Sequence, residues 1–241
     1  MNGIGASLVL FSGAFVQGVT GSAFSLLSLP LLTLIAPAAE AVPVLSVFGL
    51  AVNLMVLLSA PRAARPLRFL PLYVTGLVFT LPGILLLEVL PDRPVRLVVG
   101  VLVLATALAC LAGRGASKPG HERLALALIG IASGLMNGLT TFSGPPVIVF
   151  LAGTGAERDE FRANLSLYFL ILNVFMVPML VSRGLLTPAL WGDIARLAPF
   201  VLAGSLGGSL VARRIDRVLF RRMVLVLLAS LGLMAVAMAL A

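Results

Sequence analysis

The chain has 241 residues, is 60% hydrophobic and only 11% charged, and has a mean hydropathy of +1.15. A soluble domain needs a charged surface and a transmembrane barrel needs short alternating segments, so both are excluded in favour of a multi-pass helical membrane protein. The formal charge of +8 is not a nucleic-acid signal, because the basic residues sit in short loops between apolar segments, where they act as topology determinants.

The first charged side chain is Glu40 and the next is Arg62. Residues 4–19 are apolar with small residues interspersed (Gly5, Ala6, Ser7, Ser12, Gly13, Ala14), which lets membrane helices approach closely. Gln17-Gly18-Val19-Thr20-Gly21-Ser22 then interrupts the run, and a second apolar piece follows over 23–35, ended by Pro37. Each piece is about 15 residues, short of the ~20 that a span needs. Long segments cover 41–60, 69–90 and 95–112, separated by the loop of Arg62, Arg65 and Arg68 and by the turn Pro91-Asp92-Arg93-Pro94. Residues 113–123 are the most polar stretch and read as a linker between a first membrane repeat, 1–112, and a second, 124–241.

The second half repeats the pattern. An apolar piece over 124–138 meets Thr140-Thr141-Phe142-Ser143-Gly144-Pro145-Pro146, and a short piece runs on to Leu151. Ser143 or Gly144 can cap a new helix, and Pro145 suits its first turn, where a missing N–H costs nothing. A charged loop over 153–162 precedes long segments at 163–181, 190–211 and 218–240. Ser12-Gly13, Thr20 and Ser22 match Ser133-Gly134, Thr141 and Ser143 at one spacing; after a one-residue adjustment Leu45-Ser46, Leu50 and Asn53 match Leu165-Ser166, Leu170 and Asn173. Arg68 and Pro71 further match Arg196 and Pro199, and Asp92-Arg93 matches Asp216-Arg217.

Loop charge orients the halves. If the two short pieces of each half formed one span, Arg213, Arg214, Arg217, Arg221 and Arg222 would fall on the face opposite the linker. If they form a re-entrant hairpin instead, the basic loops at 62–68, 113–123, 158–162 and 213–222 share the cytoplasmic face, and only Arg93, Arg96, Arg183 and Arg196 lie outward. The expected fold is therefore all-α, with two inverted repeats, each a re-entrant or broken-helix hairpin plus three transmembrane helices. Repeats interrupted at corresponding places point to a transport site.

Two half-helix N-termini meeting at the midplane would each present roughly half an elementary charge through unsatisfied N–H groups, which suits a small anion. Thr20, Gly21, Ser22 and Ser25 at the first break, and Thr140, Thr141, Ser143, Gly144 and Pro145 at the second, are the candidate binding residues. Asn53 and Asn173, each seven residues after a serine and on the same helix face as it, complete the set, with interhelical bonding as their alternative role. Any single Ser or Thr could instead bond back to its own helix. Gln17 and Asn137 lie near the breaks, and Arg162, one turn before Ser166 on the same face, reads as a topology arginine, with greeting an anion at the cytoplasmic mouth as its alternative role.

Catalytic and metal sites are not expected. Cys110 is the single cysteine, His121 the single histidine, and no Ser/His set or carboxylate pair lies in mid-span. No cofactor is implied. The N-terminus lacks the basic residues of a signal peptide. The absence of mid-membrane acids also disfavours a cation carrier.

Gly138 to Pro146, Phe161-Arg162-Ala163 and Tyr168-Phe169 through Asn173 resemble the second half of the TauE/SafE family of sulfite exporters, and residues 18–30 resemble its first-half counterpart. The resemblance spans essentially the whole chain. It implies a transporter of small sulfur-containing anions, sulfite or organosulfonates, in the plasma or inner membrane. Where members often carry a glycine-rich run, this chain has Gly18 and Gly21 with Ser22 and Ser25. The expected function is export by alternating access; an anion channel and a gradient-coupled importer of a small organic anion are the alternatives. The partners implied are the substrate anion and the bilayer; a homo-oligomer is left open.

Overall fold

The computed structural model describes residues 3–59, 63–91, 94, 101, 122–141, 143–153, 157–212 and 214–215. Among them every regular element is helical. In a bilayer core a helix satisfies its backbone groups within itself, and these segments are apolar enough to do so on all sides. The helices are α1 (Ile4–Thr20), α2 (Phe24–Leu32), α3 (Ala38–Ser59), α4 (Leu70–Val89), α5 (Glu122–Thr140), α6 (Gly144–Gly153), α7 (Arg158–Ser182) and α8 (Pro188–Ala212). Five of them, α3, α4, α5, α7 and α8, are long and apolar enough to cross a membrane. The segments expected over 95–112 and 218–240 lie outside the described residues, as do most of the 113–123 linker and the Asp92-Arg93 and Asp216-Arg217 match.

Several boundaries move. Of the two pieces expected to be about 15 residues, α1 has 17 and α2 only 9, while the piece expected over 124–138 is α5, with 19. α1 and α5 run longer than expected. Both continue through polar residues because those residues bond to their own helix. Thr20 donates to the Val16 carbonyl at 2.8 Å and Thr140 to that of Met136 at 2.7 Å. Glu122 and Arg123 belong to α5 rather than to the linker. Residues 158–162 belong to α7, whose first turn carries Asp159 and Glu160, a favourable end for acidic groups.

The spacing of the two halves is also simpler than the sequence matches suggest. Thr20 and Thr140 end their helices, Phe24 and Gly144 begin the next ones, and Ala38 and Arg158 begin the third pair. One spacing relates all these pairs and Asn53 to Asn173, so no adjustment is needed. Thr20 then corresponds to Thr140, not Thr141, and Ala23 rather than Ser22 stands where the other half has Ser143.

Helices pair between the halves. α4 packs along α5 and α1 along α8, while α3 lies against α7. Glycines set these contacts. A Cβ on Gly130 would strike Leu72 and Gly76, and one on Gly138 would strike Thr80, Gly83 and Ile84, so α4 and α5 run in the same direction. Likewise Gly204 lies on Phe11, and Gly208 on Phe15 and Gly18, so α1 and α8 also run parallel. Ion pairs mark the two faces. Arg68 meets Glu122 at 3.0 Å and Arg65 meets Glu160 at 3.3 Å, bringing together the starts of α4, α5 and α7. Arg183 meets Glu88 at 2.6 Å, joining the ends of α4 and α7. Leu54, Leu58, Val78, Leu206 and Leu210 stay exposed, as lipid-facing residues should.

Candidate functional site

The first break is a tight left-handed turn. Gly21, at φ 77°, closes α1 by donating its N–H to the Gln17 carbonyl at 2.7 Å. Ala23 follows at φ 103°, a conformation that costs a non-glycine residue roughly 1–3 kcal/mol and persists only where packing imposes it. Thr20 accepts from the Ser22 N–H at 3.2 Å and donates to the Ser22 carbonyl. No side chain caps α2 locally. Gln17 does so from seven residues away: its Oε1 accepts from the Phe24 N–H at 3.0 Å, while its Nε2 donates to Asn53 Oδ1 at 2.7 Å and to the Gly21 carbonyl at 3.3 Å. One buried amide thereby ties α1, the turn, α2 and α3 together.

The second break closes its helix in the same way with other side chains around it. Thr141, at φ 56°, closes α5 by donating its N–H to the Asn137 carbonyl at 2.7 Å. Its hydroxyl donates to the Thr140 carbonyl at 2.6 Å. The Ser143 carbonyl accepts from Ser133 Oγ at 2.5 Å, and Ser133 Oγ accepts from the Tyr168 hydroxyl at 2.8 Å. Because Pro145 and Pro146 lack N–H groups, the first turn of α6 offers only Gly144's. In α2 the Phe24 N–H is taken by Gln17.

The two turns enclose one cavity of about 30 Å³, measured as the space open to the centre of a water-sized sphere. At roughly 10–15 Å³ per water on that measure, it holds a group of a few heavy atoms. Ala23, Phe24, Ser25 and Leu26 line it from the first turn, and Thr141, Ser143, Gly144 and Ile148 from the second. Asn53, Asn173, Gln17, Asn137, Gly49 and Phe169 complete the wall, and no charged side chain is among them. Asn173 is 6% exposed, and its Oδ1 has no partner among the described residues. Its Nδ2 sits in the notch left by Gly49, 2.6 Å from where a Cβ would stand.

A family model described as Sulfite exporter TauE/SafE matches residues 6–235. The chain belongs to the TauE/SafE family. No individual curated protein and no solved structure matches it. Its class is thus a membrane transporter, in keeping with the five candidate spans.

Of the expected binding residues in this TauE/SafE chain, Ser25, Asn53, Thr141, Ser143, Gly144 and Asn173 line the cavity. Thr20, Gly21, Ser22 and Thr140 do not. Thr20 and Thr140 satisfy backbone carbonyls of their own turns, and Gly21 faces α7. The side chain of Pro145 lies outside the described set. Asn53 lines the cavity, and it makes the interhelical bond foreseen as its alternative role: Oδ1 accepts from Gln17 on α1, while Nδ2 donates to the Gly49 carbonyl of its own helix at 2.7 Å.

Arg162 departs furthest from the sequence reading. It is 4% exposed, not a mouth residue, and its Nη2 donates to the Gly18 carbonyl at 2.7 Å. Ala23, Phe24, Gly49, Ile148 and Phe169 were missed as cavity residues because they carry no polar signal. Asn137 was placed only near a turn, yet it reaches the cavity wall and donates to Met176 Sδ at 3.4 Å.

Proposed function

We propose that this protein carries a small sulfur oxyanion, sulfite or an organosulfonate, through two inverted repeats, with the substrate held in the cavity between the two turns. The observation that carries this reading is that uncharged cavity, lined by the first turns of α2 and α6 together. Each helix start adds a partial positive charge, smaller at α6 where Pro145 and Pro146 carry no N–H, without bringing a cation that would bind too firmly to release. The hydroxyls of Ser25, Thr141 and Ser143 and the amides of Asn53, Asn137 and Asn173 surround the same space.

The directions of the helices support the inverted reading. α5 starts on the face marked by Arg68 and Glu122 and runs with α4; α1 runs with α8, which starts beyond Arg183 on the other face. The α1–α2 hairpin then enters from one face and the α5–α6 hairpin from the other. On the positive-inside tendency, the face holding Arg65, Arg68 and Arg162 is cytoplasmic. Rocking of one helix group against the other would open the cavity to each face in turn.

Among the described residues no carboxylate lines the cavity, in keeping with export as uniport. A monovalent anion leaving a negative interior gains about 2.3 kcal/mol per 100 mV, which is sufficient drive for uniport.

The test is anion efflux from liposomes holding the purified protein, with sulfite, sulfoacetate, sulfate and chloride compared at set voltages. Saturable, voltage-sensitive flux of a sulfur oxyanion is expected. Flux only under an imposed proton or sodium gradient would replace uniport with coupling. Conductance far above carrier turnover would mean a channel, and no flux of any anion would overturn the reading.

A further inference from the structure

The two turns are not secured alike, and the difference lies in one buried arginine. Gly18 is among the last residues of α1, so its carbonyl has no partner within the helix. Arg162 supplies one from α7, at 2.7 Å. The contact is more than a single bond. A Cβ on Gly21 would stand 2.7 Å from Arg162 Cα and 2.8 Å from its Cβ and Cγ, so the turn backbone lies directly on the arginine stem. One helical turn on, Ser166 Oγ donates to the Gly21 carbonyl at 3.4 Å. The negative end of the α1 dipole therefore rests on a cation.

The position of that cation in depth matters. Asp159, one turn nearer the face, is 49% exposed on its side chain and lies 3.9 Å from Arg162 Nη1, while Arg162 itself is 4% exposed. The guanidinium is thus a buried layer between the first turn and the solvent at the face where α7 starts. At the spacing that relates the halves, the residue matching Arg162 is Val42, which is fully buried and offers no donor. Gly138, matching Gly18, is pressed on the α4 backbone instead.

We infer that Arg162 is a positioning residue, a latch that holds the first turn against α7 and keeps the cavity closed toward the face where α7 starts. The two gates of the carrier are then unequal. Opening toward that face must break a charge-assisted bond in a desolvated site; among the described residues no buried bond of this kind holds the second turn. The resting protein is closed on the Arg162 face. This rests on the two-turn site proposed above, but its test does not depend on which anion is carried.

The experiment places a reporter thiol in the cavity, Ser25→Cys, after removing the only native cysteine by Cys110→Ser. Reaction with a membrane-impermeant maleimide is timed separately from each face, in right-side-out and inverted vesicles. Arg162→Met should speed labelling from the Arg162 face by about tenfold or more and leave the other face unchanged. Arg162→Lys, which keeps one donor for the Gly18 carbonyl, should stay within about threefold of the parent. Unchanged labelling in Arg162→Met, or equal acceleration from both faces, would overturn the latch, the second result marking general loosening. If Arg162→Met fails to accumulate in the membrane, Ser166→Ala decides by the same criterion: faster labelling from the Arg162 face alone supports the latch, and any other pattern overturns it.

Discussion

The first turn, at Thr20 to Ala23, and the second, from Thr140, close their helices in the same way and differ in almost every side chain that supports the closure. Each ends a helix in a left-handed residue whose N–H returns to the carbonyl four residues back. Around that common geometry the first turn is held by an amide and a guanidinium, Gln17 and Arg162, and the second by hydroxyls, Ser133 and Tyr168. Backbone geometry and the partner of each unsatisfied group are therefore separable. What both turns preserve is the closure of a helix and the start of another facing the cavity. What differs is how strongly each turn is fixed to α7, and hence how readily it moves.

Substitutions can break this comparison in order of size. The largest effect belongs to Gly21→Val. The residue would need a positive φ, and its Cβ would have to occupy space held by Arg162. A loss of at least about 3 kcal/mol is expected, seen as a collapse of thermal stability in detergent or failure to accumulate. Thr141→Gly, at the corresponding position, should instead be neutral or stabilising by up to about 1 kcal/mol, because the strain there falls on a side chain.

Gln17→Leu comes next. It leaves the Phe24 N–H and Asn53 Oδ1 without their partners, which should cost about 2 kcal/mol of stability and slow transport. Tyr168→Phe removes one hydroxyl from the second turn and should cost about 1 kcal/mol, with flux reduced but measurable. Glu122→Gln breaks the pair with Arg68, whose partners are both more than 40% exposed, and should change stability by no more than about 0.5 kcal/mol. If Tyr168→Phe proved as damaging as Gln17→Leu, the two turns would be equally fixed and the contrast between them would fail.

The breaks themselves were legible, because irregular backbone inside an apolar run survives in a membrane only where it is buried in protein or lines a cavity. Of the hydroxyls singled out, Ser25, Thr141 and Ser143 line the cavity, whereas Thr20, Ser22 and Thr140 do not. α1 and α5 were underestimated, since Thr20 and Thr140 look like breakers but are accommodated within their helices, and α2 was overestimated. Ser22 was matched to Ser143 by chemistry, whereas the fold places Ala23 in that position and recruits Gln17 to the start of α2. Contacts such as Tyr168 with Ser133, or Arg162 with Gly18, join residues far apart in the chain, and no local pattern announces them. Arg162 was assigned to the surface because an arginine near a segment end is normally wetted; here the end of α1 supplies what water otherwise would.

The central claim is that both turns build one site. Its most direct test is sulfite flux through Ser25→Leu and Ser143→Leu proteins, reconstituted at matched amounts and checked for intact folding by thermal unfolding. Both should lose at least about tenfold in flux, since each fills the same small cavity. If one substitution abolished flux and the other left it at the parental rate, the turns would not share a substrate, and the cavity between them would not be the transport site.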